Sequence, residues 1–201
     1  MKEFTEISLR HLDLSENFFD LVQAVLQENI KQGNKNVSVQ APSINKVERN
    51  KEYRRQTKWS DNRILIPVLF NFFHGIELFL KGLKYLNDDP ALKTGKTPHH
   101  NLETLLNDFK KENTKEKSIY NILKYYILPN NECQILSNFY KSNKISNSSM
   151  FYDFFKYPSN KSFDKVFNYS ALRCNGVDGM IFFKKIIDDI DKLREELELM
   201  E

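Results

Sequence analysis

One stretch limits what this chain can become. Pro67–Leu86 reads Pro-Val-Leu-Phe-Asn-Phe-Phe-His-Gly-Ile-Glu-Leu-Phe-Leu-Lys-Gly-Leu-Lys-Tyr-Leu, and its Val68, Leu69, Phe72, Phe73, Ile76, Phe79, Leu80 and Leu83 cover most of a helical circumference. A helix apolar nearly all round is central in its protein. Yet His74, Glu77 and Lys81 stand at i, i+3 and i+7, within about 60° of one another at 100° per residue. A narrow ionisable seam therefore runs along a rod that has to be buried. Because an unpaired buried charge is costly, Glu77 and Lys81 are expected to pair at i,i+4, with His74 one turn earlier and in reach of Glu77. Two readings of the seam stay open. It is a buried ion pair that fixes helix register, or it belongs to a polar cleft where His74 acts as acid or base and Lys81 meets a phosphate.

Helical periods recur through the rest of the chain. Asp13-Leu-Ser-Glu16 has the spacing of a capping box, and Phe18, Leu21, Val22, Val25 and Leu26 predict a first helix ending near Gly33. Residues 34–60 lack a steady period and are expected to form a long, flexible basic loop, mobile or ordered by a partner. The central helix is expected to start at Asp61 or Pro67 and to stop at Asn87–Pro90. A third helix follows from Asn101 and a fourth through Ile119–Tyr126, closed by Pro129; a weaker fifth spans 130–141. Lys141–Ser149 reads as a loop, Phe151–Tyr157 as an aromatic element ended by Pro158, and Cys174–Gly179 as a turn. In Met180–Met200, Phe183, Ile186, Ile190, Leu193, Leu197 and Met200 step by 3 and 4, with Lys184, Lys185, Asp188, Asp189, Asp191 and Lys192 on the other side. Such a stripe suits packing within a bundle or a dimer seam. No period-two strand is visible. The expected fold is all-α: one domain over residues 1–201, an up-and-down helical bundle with long polar loops.

Composition excludes more than it assigns. Thirty Lys+Arg against 27 Asp+Glu give a net charge of +3, too small a surplus to imply a nucleic-acid partner by itself. Residues 45–63 nonetheless hold seven basic side chains against three acidic ones. Neither metal nor cofactor is expected. The four histidines and two cysteines show no His-x3-His or Cys-x2-Cys pairing. Gly95-Lys-Thr97 lacks the first glycine of a phosphate-binding loop, because position 90 is proline. Cys133 and Cys174 read as reduced thiols. The N-terminus has no apolar leader core, and Ile64–Leu80 is interrupted by Pro67, Asn71, His74 and Glu77, short of the ~20 apolar residues of a span. A cytoplasmic location without a membrane partner is expected.

Three segments carry a resemblance. Leu69-Phe-Asn-Phe-Phe-His-Gly-Ile-Glu-Leu-Phe-Leu-Lys-Gly-Leu83 resembles the His-x2-Glu-Leu-x-Leu-Lys helix of many bacterial HEPN-like proteins. His99-His-Asn-Leu-Glu-Thr-Leu-Leu106 resembles their His-Asn/Asp-Leu-x2-Leu segment, and Phe154-Phe-Lys-Tyr-Pro158 their Phe-Arg-Tyr-Pro, with Lys156 in place of Arg. Order and approximate spacing agree over residues 61–158, about half the chain. The resemblance implies an α-helical bundle, frequent homodimers, and kinship with RNA-cleaving toxins and abortive-infection effectors. It extends to partners such as RNA, a ribosome-associated target, or a phage or regulatory protein. The chain departs from the family in one respect: none of its seven arginines is followed by histidine at the Arg-x4–6-His spacing of active HEPN ribonucleases. A catalytically silent protein- or nucleotide-binding module is the competing expectation.

Metal-free RNA cleavage needs a base for the 2′-hydroxyl, an acid for the leaving oxygen and cations on the phosphate. The catalytic candidates are His74, Glu77, Lys81 and His100. The binding candidates are Arg54, Arg55 and Lys58 for the RNA backbone, with Asn101, Lys156 and Tyr157. Tyr157 and its aromatic neighbours could stack bases, although core packing competes for the same rings.

Overall fold

A computed structural model describes residues 5–36, 45–86, 100–128, 132–145, 151–159 and 162–200, apart from the side chains of 151–153. Its helices are α1 (Glu6–Gln32), α2 (Lys46–Gln56), α3 (Asp61–Tyr85), α4 (Leu102–Glu112), α5 (Lys117–Ile127), α6 (Gln134–Asn143), α7 (Phe151–Lys156) and α8 (Gly176–Glu198), with a 3-10 turn at Ser170–Leu172. Among the described residues there is no strand; Ser159 and Val166 form an isolated bridge. The fold is all-α.

α3 is the central rod that its composition demands. Phe72, Phe73, Ile76, Phe79, Leu80 and Leu83 are each 1% exposed or less. Its long partner is α1, and the two run antiparallel in a fixed register. The Ser8 hydroxyl donates to the Gly82 carbonyl and the Ser15 hydroxyl to the Gly75 carbonyl, both at 2.8 Å. Glycine permits this approach. A Cβ on Gly75 would lie 2.7 Å from Phe19 Cε1, and one on Gly82 would lie 2.7 Å from Leu12 Cγ.

α1 begins at Thr5, whose side chain accepts from the Ser8 N–H, and ends at Gly33 in the left-handed region. The capping-box spacing at Asp13–Glu16 therefore lies inside the helix, and Ser15 serves α3 instead of a cap. Residues 34–60, expected as a loop, contain α2, capped by the Asn45 side chain but with no buried residue; its helical form owes more to its cap than to an apolar face. α3 starts at Asp61, so Pro67 sits beyond its first turn, where it has no N–H to give to the Arg63 carbonyl. α3 is also a 25-residue helix apolar enough to cross a membrane on length and composition, contrary to the expectation from its polar interruptions, although 67% of that window is buried within the chain.

Other helices frame this pair. α8 crosses α1 through Arg194, which donates to Glu16 at 2.6 Å and to Asp20 at 2.7 Å. The Phe183, Ile186, Ile190 and Leu193 stripe of α8 is buried in the single chain, as bundle packing requires. Asp189 departs from the expected solvent side. It is 2% exposed and accepts from the Tyr126 hydroxyl at 2.6 Å and from Lys185 at 2.8 Å. Burial and this carboxylate push the Tyr126 hydroxyl well up from its ordinary value.

α4 corrects the up-and-down expectation. His100 meets Glu77, and eight residues later Asp108 meets Lys84, seven residues on, so α4 follows the direction of α3 instead of reversing it. Both cysteines are free thiols, Cys133 buried and Cys174 exposed. The readings placed on 37–44, 87–99 (the Asn87–Pro90 stop, Gly95–Thr97 and His99), Pro129 and 146–150 lie outside the described residues.

The glycine seam yields a direct prediction. Alanine at Gly75 or Gly82 gains about 1 kcal/mol of helix propensity, but the overpacking it causes costs ~1–3 kcal/mol. Each variant is therefore expected to unfold at lower urea than the wild type. A gain in stability at both positions would mean that α1 and α3 do not approach this closely.

Candidate functional site

In the ionisable seam of α3, Glu77 is covered from beyond α1, while His74 lies at the edge of the α1 contact. Glu77 is its floor, with a side chain only 2% exposed. Its Oε1 accepts from Lys81 Nζ at 2.5 Å and meets His100 Nδ1 at 2.8 Å. An ionised carboxylate can only accept, so Nδ1 of His100 carries the proton in this contact. His100 is held in place by the start of α4, because the neighbouring Asn101 caps that helix and accepts from the N–H groups of Glu103 and Thr104. The Asn101 side chain is thus committed to the cap. The imidazole of His100 is 80% exposed, which leaves its Nε2 edge toward solvent.

His74 stands at the other carboxylate oxygen. Its Nδ1 is 3.9 Å from Glu77 Oε2, which among the described residues accepts no hydrogen bond. Phe18 of α1 meets the His74 ring edge-on at 4.5 Å, and Phe70 stacks beside it at 6.3 Å. Burial holds the His74 imidazole below its ordinary value; Glu77 opposes this shift, while Lys81, His100 and Lys156 reinforce it. Lys156, the last residue of α7, is therefore close enough to act on His74, and its Nζ lies 5.3 Å from the centre of the Tyr157 ring.

Five expected residues (His74, Glu77, Lys81, His100 and Lys156) thus share one locality, a buried carboxylate with the half-buried His74 and Lys81 beside it and the exposed His100 and Lys156 outermost. The other binding candidates do not join it. Arg54, Arg55 and Lys58 belong to α2 and its following turn, which is tied to the start of α3 through Tyr53 and Asn62. Glu77 is fifteen residues beyond Asn62 along α3, about 22 Å at 1.5 Å per residue. Arg55 grips Glu52 at 2.8 and 2.6 Å and holds that carboxyl down to about 2. Tyr157 is exposed, whereas Phe154 and Phe155 belong to the core and cannot stack on a base.

Besides Asp189, a second buried carboxylate was not foreseen from the sequence. Asp61, 1% exposed, accepts from Asn34, Asn36 and the backbone N–H groups of Cys174 and Asn175 at 2.6–3.3 Å. It ties the ends of α1, α3 and α8 together; its only sequence signal is a helix-start Asp, which is commonplace. Among the described residues no group of three or more His, Cys, Asp or Glu could hold a metal ion. Comparisons with protein-family models, curated proteins and solved structures give no match.

The electrostatics of the seam can be tested at two residues. Replacing Glu77 by Gln leaves Lys81 without its counter-charge and is expected to cost about 3 kcal/mol in urea unfolding, whereas Glu77→Leu with Lys81→Met costs less. An equal or larger loss in the double variant would remove the ion pair from the account. His74 gives a pH signature. Near pH 6.5 the unfolded chain takes up a proton that folded His74 resists, so its contribution is full above 6.5 and lost as pH falls below it. The stability difference between wild type and His74→Gln should therefore decline from pH 8 to pH 5. A difference that grows on acidification would show Glu77 outweighing burial.

Proposed function

We propose that this chain is a HEPN-like helical module acting on RNA, with the groups around Glu77 as its working centre. One observation carries the reading. The three segments that resemble the family, separated in sequence, bring ionisable side chains to one locality: His74, Glu77 and Lys81 from the first, His100 on the Glu77 carboxylate from the second, and Lys156, which acts on His74, from the third. The wider reading follows the resemblance: an antiphage, abortive-infection or toxin-type effector that works on RNA or the translation machinery as a homodimer.

The chemistry suited to such a cluster is metal-independent transesterification. Neutral His74 takes the 2′-hydroxyl proton, and O2′ attacks the adjacent phosphorus. The P–O5′ bond breaks as His100, in its imidazolium form with Nδ1–H held by Glu77, gives its Nε2 proton to the leaving oxygen and is left neutral. Lys156 faces the charge that develops on the phosphoryl oxygens, while Lys81 is paired with Glu77. The products are a 2′,3′-cyclic phosphate and a 5′-hydroxyl. The missing Arg-x4–6-His motif favours a second reading, in which the same fold binds nucleotide or protein without cleaving.

Purified chain should cut single-stranded RNA in excess EDTA, and folded His100→Ala and His74→Gln variants should each lose roughly 10²–10⁴-fold in rate. Cleavage that survives both substitutions would remove these histidines from the mechanism. Binding of nucleotide without cleavage by the wild type would establish the silent module.

A further inference from the structure

Another feature lies nearer the start of α3. A cleft of about 300 Å³ opens between α1 and α3, lined by Val22, Val25, Ile64, Val68, Pro67 and Trp59. Lys58 and Arg63 stand in its lining, which contains no acidic residue. Neither cation is ion-paired among the described residues; Lys58 Nζ lies 4.9 Å from the centre of the Trp59 ring, and Arg63 Nε donates to Thr57. Here an apolar slot for a flat group and cations for an anion occur together.

We infer that this cleft is a base-binding subsite for single-stranded RNA, in which one nucleobase enters beside Trp59 and its phosphate meets Lys58 and Arg63. The inference rests on the RNA reading above and specifies how the strand lies. Arg63, Pro67 and His74 fall within about 40° on α3, and seven residues from Pro67 to His74 span about 10 Å along the axis. That separation suits roughly one or two nucleotides between the bound base and the phosphate at His74. The two cations select this occupant over an apolar side chain, which carries no charge to meet them.

Trp59 is the sole tryptophan, so its fluorescence reports the cleft directly. Full-length His100→Ala protein, which binds without consuming RNA, would be titrated with a hexauridylate, with uridine monophosphate and with octanoate. Saturable quenching by the oligonucleotide and the nucleotide, but not by octanoate, is expected. Val25→Phe, which fills the slot, should abolish it. Labelled RNA should bind Trp59→Ala about 10-fold more weakly and Trp59→Phe nearly as well as wild type, since base stacking on an aromatic ring contributes this much. Lys58→Ala and Arg63→Ala should each lower the salt slope of binding by about one. If RNA is cleaved in a His100-dependent manner while Trp59 stays silent and Val25→Phe binds normally, the subsite is overturned and the catalytic reading stands. If uridine monophosphate quenches Trp59 but no RNA is cut, the cleft stands as a nucleotide site and the catalytic reading falls. Quenching by octanoate alone overturns the inference.

Discussion

The close approach of α1 to α3 sets the terms for the rest of the molecule. Two glycines one heptad apart, Gly75 and Gly82, present bare backbone to Ser15 and Ser8, and the serine hydroxyls satisfy the carbonyls there. The register is fixed at two points, so the rotation of α3 is fixed as well. Glu77 lies about 200° around the helix from Gly75, on the side that α1 cannot reach. Its partner on that side comes from later in the chain, where the start of α4 supplies His100; Lys156 at the end of α7 acts on His74. His74 lies between the two faces, with its ring against Phe18 of α1 and its Nδ1 toward Glu77.

Glu77 is then the group that gathers the others. A carboxylate so deeply covered gains little net stability from its partners, because desolvation offsets most of the attraction. Its value is positional. Oε1 aligns an ammonium and an imidazole, Oε2 faces another imidazole, and the exposure of the partners rises outward from Glu77 through Lys81 and His74 to His100. A buried anion below and titratable or cationic groups at the surface suit a phosphodiester. The basic turn at Trp59 precedes the start of the same helix.

The sequence made α3 legible because its apolar residues encircle the helix and because three ionisable residues break that pattern on one line. Periodicity also located α4, α5 and α8, whose stripes all face the core. What stayed hidden depended on partners far away in the chain. The start of α1 was obscured because Asp13–Glu16 imitates a cap, while the true cap, Thr5, precedes an unremarkable Glu-Ile-Ser. α2 has no apolar face to announce it. Asp61 and Asp189 resemble surface acids until Asn34 and Tyr126 are brought to them from 27 and 63 residues away. For the site itself, every residue of the Glu77 group could be named from the sequence, but the contact of His100 with Glu77 across 23 residues could not. Nor could periodicity show that α4 runs with α3 and not against it.

The grip of Glu77 on His100 is most directly tested by ¹⁵N NMR of the histidine side chains at pH 8, with His100 assigned by substitution. Held by the carboxylate, neutral His100 should carry its proton on Nδ1, the less common tautomer of a free imidazole, and should revert in Glu77→Leu. A His100 that already shows the Nε2-protonated form in the wild type would mean that the carboxylate does not hold it, and that the proposed centre is not assembled as described.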